Sequence, residues 1–182
     1  MFALRLATLG DLPALRRLID ESVRGLSAAH YTPEQIESGL HYVFGPDTQL
    51  IADGTYHIVE SAGRLAAAGG WSKRQTLYGG DQHKSAADPP LDPRTDAARI
   101  RAFFVHPDFA RRGLGRMLFE ACLAAAAESG FRSFELGATL PGEPLYASLG
   151  FVARERADAH LPDGVVLPIV RMTRAIVVGE GD

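Results

Sequence analysis

The sequence predicts an α/β domain in which helices flank a central sheet. Three observations carry that expectation. An apolar run ending at Val105 is stopped by Pro107 and passes through two glycines into an amphipathic helix. Runs of strand character elsewhere in the chain are interspersed with stretches of helical period. The length, 182 residues, suits one domain spanning residues 1–182 that buries roughly two thirds of its unfolded surface.

Taken in order, residues Phe2 to Ala7 read as a short strand, after which Asp11 caps a helix that tolerates Pro13 in its first turn. Leu12, Leu15, Leu18, Ile19 and Val23 form its apolar face. Thr32-Pro33-Glu34-Gln35 starts a second helix reaching about His41, and a brief helical turn falls between Asp47 and Gly54. Tyr56 to Ser61 and Arg64 to Lys73 are strands joined at Ala62-Gly63. Small residues from Ala66 to Gly70 allow close approach of a neighbour, and Trp71 supplies bulk at the strand's end.

Residues 79–96 are rich in Gly, Asp, Pro, Ser and His without period, and are expected to form a mobile loop beside the site. Gln82, His83 and Asp88 are ligands by type, but their spacing matches no metal signature, so no metal is expected. Leu114, Met117, Leu118, Ala121, Cys122 and Ala125 make the stripe of the long helix, which Gly130 stops. Ser133 to Ala138 is a further strand, Pro144 to Gly150 a short helix, and Phe151 to Glu155 with Val165 to Arg174 complete the sheet. Residues 175–182 are expected to fray.

Composition narrows the function classes. The formal net charge of −3 gives no overall attraction to nucleic acid. The longest apolar run, Ala121 to Ala127, is too short to cross a membrane, and Met1-Phe2-Ala3-Leu4-Arg5 carries no export pattern, so the cytoplasm is the expected compartment. Cys122, on an apolar stripe, reads as core. From Arg94 to Arg116, however, six arginines face only Asp96 and Asp108. Positive charge is concentrated at the turn before the long helix.

That turn, Ala110-Arg111-Arg112-Gly113-Leu114-Gly115-Arg116, has the makings of an anion site. Glycines allow close backbone approach, and the N–H groups and positive dipole end of the helix face outward. Neither a Gly-Lys-Ser/Thr loop nor a Gly-x-Gly-x-x-Gly fingerprint is present. The residues alone therefore indicate a phosphate-binding turn without naming its ligand.

At these positions the sequence resembles the GNAT superfamily of acyl-CoA-dependent N-acetyltransferases, whose motif is a strand, Gln/Arg-x-x-Gly-x-Gly/Ala and a helix. Ala110 stands where the family usually has Gln or Arg. Two more segments share the resemblance: Arg5-Leu6-Ala7-Thr8-Leu9-Gly10-Asp11, and Leu145-Tyr146-Ala147-Ser148-Leu149-Gly150-Phe151. The resemblance implies a mixed, mostly antiparallel central sheet flanked by helices, with a bulged central strand splayed from its neighbour to leave a cleft. It further implies acetyl-CoA as co-substrate, no metal, and transfer of the acetyl group to a primary amine by direct attack. An acyl-CoA-binding sensor without turnover is the alternative.

Carried onto this chain, Phe103, Phe104 and Val105 line the pantetheine arm, with Thr139 as a weaker contact. The backbone of Arg111, Arg112, Gly113, Leu114, Gly115 and Arg116 holds the pyrophosphate. Val105 N–H is the expected oxyanion donor, and Tyr146 the general acid, with a packed aromatic as its other reading. For the general base Glu135 leads, against an outward carboxylate on an alternating strand. His106 reads foremost as a turn residue, and a water chain is a further route for the proton. The expected partners are acetyl-CoA and an amine acceptor, without nucleic acid or membrane; a homodimer is left open. His30, Tyr31, His41 and Tyr42 are weighed as acceptor-pocket residues against surface or hinge packing.

Overall fold

The computed structural model describes residues 1–86 and 88–177. Seven strands form one sheet: β1 (Ala3–Leu6), β2 (Tyr56–Ser61), β3 (Arg64–Ser72), β4 (Ala98–Val105), β5 (Ser133–Thr139), β6 (Val152–His160) and β7 (Val166–Ala175). Their order is β1-β2-β3-β4-β5-β7-β6, and every neighbouring pair is antiparallel except β4–β5. This is the mixed, mostly antiparallel sheet the sequence predicts.

Five helices accompany it: α1 (Leu12–Ser27), α2 (Pro33–Tyr42), α3 (Thr48–Ala52), α4 (Leu114–Glu128) and α5 (Glu143–Ser148). On α1, Leu15, Leu18, Ile19 and Val23 are buried, as the helical spacing requires. Thr32 and Gln35 form a reciprocal capping box that starts α2, and Asp47 accepts from Gln49 and Leu50 N–H to start α3. Phe119, Cys122 and Ala126 of α4 pack against Phe134 and Leu136 of β5 and Met172 of β7. A separate cluster joins Ile19 and Val23 of α1 to Ile36 of α2 and Leu167 of β7. Alternation along β5 sends Phe134, Leu136 and Ala138 inward and leaves Glu135, Gly137 and Thr139 on the opposite face.

Two differences from expectation have plain causes. The β6 strand runs on to His160, well past Glu155, because it is an edge strand exposed over most of its length and carries no alternation to read. The segment 79–96 is irregular, with a short turn of helix at Asp81–His83; within it Asp81 accepts from Thr48 N–H at 2.9 Å, Lys84 Nζ lies 2.8 Å from Asp47, and Leu91 N–H donates to Lys73 O. Ala87 lies outside the described residues. At the C-terminus, Ala175 closes β7, and Ile176 is buried with its N–H on Arg132 O. The expected fraying therefore begins no earlier than Val177, and residues 178–182 lie outside the described residues. No helix among the described residues is long and apolar enough to cross a membrane.

Candidate active site

The site begins with an irregularity in β4. Val105 and Phe104 pair with Ala67 and Ala68 of β3, but Arg101 pairs with Gly70, so Ala102 and Phe103 together oppose Gly69. Ala102 takes up the extra residue with a φ of 53°, a left-handed conformation costly for a residue with a Cβ. Gly69 makes room for the bulge: a Cβ there would lie 2.4 Å from the Phe103 ring. On its other side, β4 pairs with β5 only through Ala98↔Phe134 and Arg99↔Glu135, and there the two strands part.

A cavity of about 220 Å³ opens where they separate. It is walled by β4 from Ile100 to Val105, by Gly137 and Thr139 of β5, and by Leu145 and Tyr146 of α5, with Ser22 and Val23 of α1 opposite. Phe103, Phe104, Val105, Thr139 and Tyr146, five of the residues singled out in the sequence, thus meet in one space. The Phe103 and Tyr146 rings are 6.0 Å apart. Thr139 Oγ1 accepts from Gly142 N–H at 3.3 Å and so also shapes the turn into α5.

Beyond β4 the chain turns through Pro107–Phe109 and reaches α4 at Leu114. Arg111 (φ 63°) and Gly113 (φ 80°) are both left-handed, which separates the turn from the helix axis. Among the described residues, no backbone or side-chain acceptor meets the N–H groups of residues 111 to 116; the first helical bond is Met117 N–H to Gly113 O at 3.0 Å. Six successive donors, that of the buried Gly115 among them, are therefore left unpaired at the positive end of a four-turn helix. Arg111, Arg112 and Arg116 are exposed around them, whereas the Leu114 side chain is buried and only its backbone is available. The missing Cβ of Gly115 also makes room for Leu145, which a methyl group would meet at 2.7 Å, so this glycine seats α4 against α5.

Glu135 is the clearest departure from expectation. It shares a face with Gly137 and Thr139 but lies at the last β4–β5 rung, outside the cavity wall. Oε2 accepts from Arg99 at 2.8 Å and Oε1 from Arg171, so both carboxylate oxygens already face guanidinium donors. The structure thus pairs it with two guanidiniums and sets it apart from the cavity that holds Val105 and Tyr146. His106 is likewise a turn residue: Nδ1 accepts from Asp108 N–H at 3.1 Å and Nε2 lies 3.0 Å from Glu21. His30, Tyr31, His41 and Tyr42 do not line the cavity. Tyr31 is instead a buried brace, donating to Pro168 O and accepting from Leu140 N–H, and burial pushes its phenol up to about 12. Trp71 packs on Phe131, as expected.

Polar side chains to which the sequence reading gave no place in the site also line the cavity, among them Ser22, Ser27 and Arg101. Ser22, buried on α1, accepts from Val105 N–H at 3.2 Å, so the amide expected to face an oxyanion already has a hydroxyl against it. Arg101 is 2 % exposed; Nη1 donates to Thr76 O, and Nη2 donates to Gly79 O and to Asp47 Oδ2. Burial lowers its pKa, opposed by Asp47. Burial in turn pushes the Tyr146 phenol well above its ordinary range, with Cys122 adding to the shift. Among the described residues, no carboxylate or imidazole lines the cavity.

The model of the Acetyltransferase (GNAT) family matches residues 16–151. The chain belongs to that family. Among solved structures, a GCN5-related N-acetyltransferase of Rhodopseudomonas palustris superposes with a TM-score of 0.70 at 21% identity, covering 95% of this chain and 94% of that one. The PaiA N-acetyltransferase of Thermoplasma acidophilum, in complex with coenzyme A, gives 0.64 at 12% identity over 96% and 99%. The ribosomal-protein-S18-alanine N-acetyltransferase of Escherichia coli gives 0.58 at 20% identity over 100% and 99%. At these identities the structures establish the GNAT fold alone. No curated protein sequence matches the chain.

Proposed function

We propose that this GNAT protein is an N-acetyltransferase that passes an acetyl group from acetyl-CoA to a primary amine by direct attack. The observation that carries the reading is the run of six unpaired N–H groups from residue 111 to residue 116, continuous with a strand whose edge is open from Ile100 onward. Donors so arranged suit a pyrophosphate, and an open strand edge suits an amide-bearing arm laid along it. That PaiA was solved with coenzyme A supports the choice of donor.

Within this reading Val105 N–H meets the thioester oxygen as negative charge develops there. The carbonyl then takes the place of the Ser22 hydroxyl, which is free to turn its own proton toward the same oxygen. As the carbon–sulfur bond breaks, its electron pair goes to sulfur. The Tyr146 phenol, held neutral by burial, faces it as a donor. The amine loses one proton overall; with no carboxylate or imidazole on the wall among the described residues, that proton leaves through water, which returns one to the Tyr146 phenolate, so the net transfer is from amine to thiol.

The bare wall also favours one other reading, a sensor that binds acyl-CoA without turnover. Two measurements separate them. Acetyl-CoA is expected to raise the melting temperature where ATP and NAD do not, since a ligand selective for the folded state stabilises it. Free thiol is expected to appear when amines are added, and Tyr146→Phe to slow it about tenfold or more with the acetyl-CoA-induced shift retained. No melting shift removes both readings, whereas a shift without thiol release across a broad amine panel leaves the sensor.

A further inference from the structure

The cavity has two chemically different ends. At one, Pro141, Gly142, Leu145 and Tyr146 adjoin the turn that leads to α5. At the other, Leu26, Val43, Phe44, Leu77, Tyr78 and Leu167 enclose a space between α1, the end of α2 and β7. Phe44 meets Phe104 edge to face, with ring centres 6.4 Å apart, so this end is aromatic as well as aliphatic. From this wall we infer that the acceptor is a small amine on an apolar or aromatic body, carrying no second positive charge. This rests on the N-acetyltransferase reading above and specifies its substrate class.

Charge decides the point. Among the described residues, Arg101 carries the one ionised side chain on the wall. Asp47, the carboxylate behind it, is fully buried and held by Arg101 and Lys84, each at 2.8 Å. A polyamine or aminoglycoside would bring a second ammonium into a space with no free carboxylate. It would lose its hydration there without a counter-charge and would meet a guanidinium of its own sign. A single reacting amine avoids this cost, because it enters neutral to attack. Its body gains from burial against the apolar wall. Size points the same way. The cavity, about 220 Å³, is smaller than the roughly 300–1,000 Å³ typical of drug-sized ligand sites.

Acetyl-CoA turnover, followed as thiol release, tests this with phenethylamine, isoamylamine, spermidine and kanamycin. Phenethylamine or isoamylamine is expected to exceed spermidine in kcat/KM by about tenfold or more. Leu26, at 37% exposure, lies at the rim, where a charge is accommodated without entering the core. Leu26→Glu is therefore expected to shift the ratio toward spermidine, and Leu26→Lys to shift it away. Equal or better turnover of spermidine, or a ratio unmoved by both variants, overturns the acceptor class while the transferase reading stands. Thiol release from none of the amines, with the acetyl-CoA melting shift intact, overturns both.

Discussion

Ser22 shows how one hydroxyl can decide what a backbone amide is free to do. It sits on the buried face of α1, and its oxygen lies 3.2 Å from Val105 N, inside the cavity wall. If the hydroxyl yields the amide to the thioester and then donates to it, the developing charge has two donors. Ser22→Ala is then expected to lower kcat about tenfold while leaving the acetyl-CoA-induced melting shift in place. An unchanged kcat would assign the oxygen to Val105 alone. The sequence pointed to Val105 and Tyr146 through motif spacing, and both reach the cavity. It could not point to Ser22, because a serine on a helix face carries no signal until the strand opposite is known. Glu135 was misleading for a related reason: strand alternation places it on the cleft face but does not say how far along the strand the cleft extends.

At the scale of elements, the contact between α4 and α5 links the two functional ends of the site. Gly115 belongs to the first turn of α4, and the side chain it accommodates, Leu145, precedes Tyr146. A larger residue there would displace α5 while sparing the left-handed Gly113. Gly115→Val is expected to cut turnover more than tenfold, with a smaller loss of acetyl-CoA affinity, because the tyrosine moves while most of the donor turn remains. Equal losses in both would place Gly115 in the anion turn itself. Strand and helix positions were largely legible from periodicity and caps: α2 begins at the Thr32 capping box, and β2 occupies the six residues read as a strand. The bulge at Ala102 was not legible, because an alanine with φ 53° looks in sequence like any other strand alanine. Its position emerges only from the register against Gly69 and Gly70.

Across the whole molecule, Arg101 ties together parts of the chain that are far apart in sequence. It reaches from β4 to Asp47 at the start of α3 and to the carbonyls of Thr76 and Gly79, which leads into the long irregular segment. Lys84 closes the group from the other side of Asp47. Removing one partner of such a buried pair leaves an uncompensated charge. Arg101→Met is expected to cost about 3–5 kcal/mol and lower the melting temperature by roughly 10 °C. Pairing it with Asp47→Asn is expected to restore part of the loss; a single variant melting like the parent would show that the group does not hold the fold. None of this was legible in the sequence, where Arg101 counted only toward a basic cluster and residues 79–96 only as a loop.

The ion pairs of Glu135 have a mechanical meaning. With Arg99, Glu135 occupies the final rung before the two central strands diverge, and Arg171 of β7 grips its other oxygen. The sheet therefore behaves as two leaves, β1–β4 and β5–β7, riveted at the crotch of a fork. The rivet stops the split from running further down the seam, so the gap keeps its depth whatever is laid between the tines.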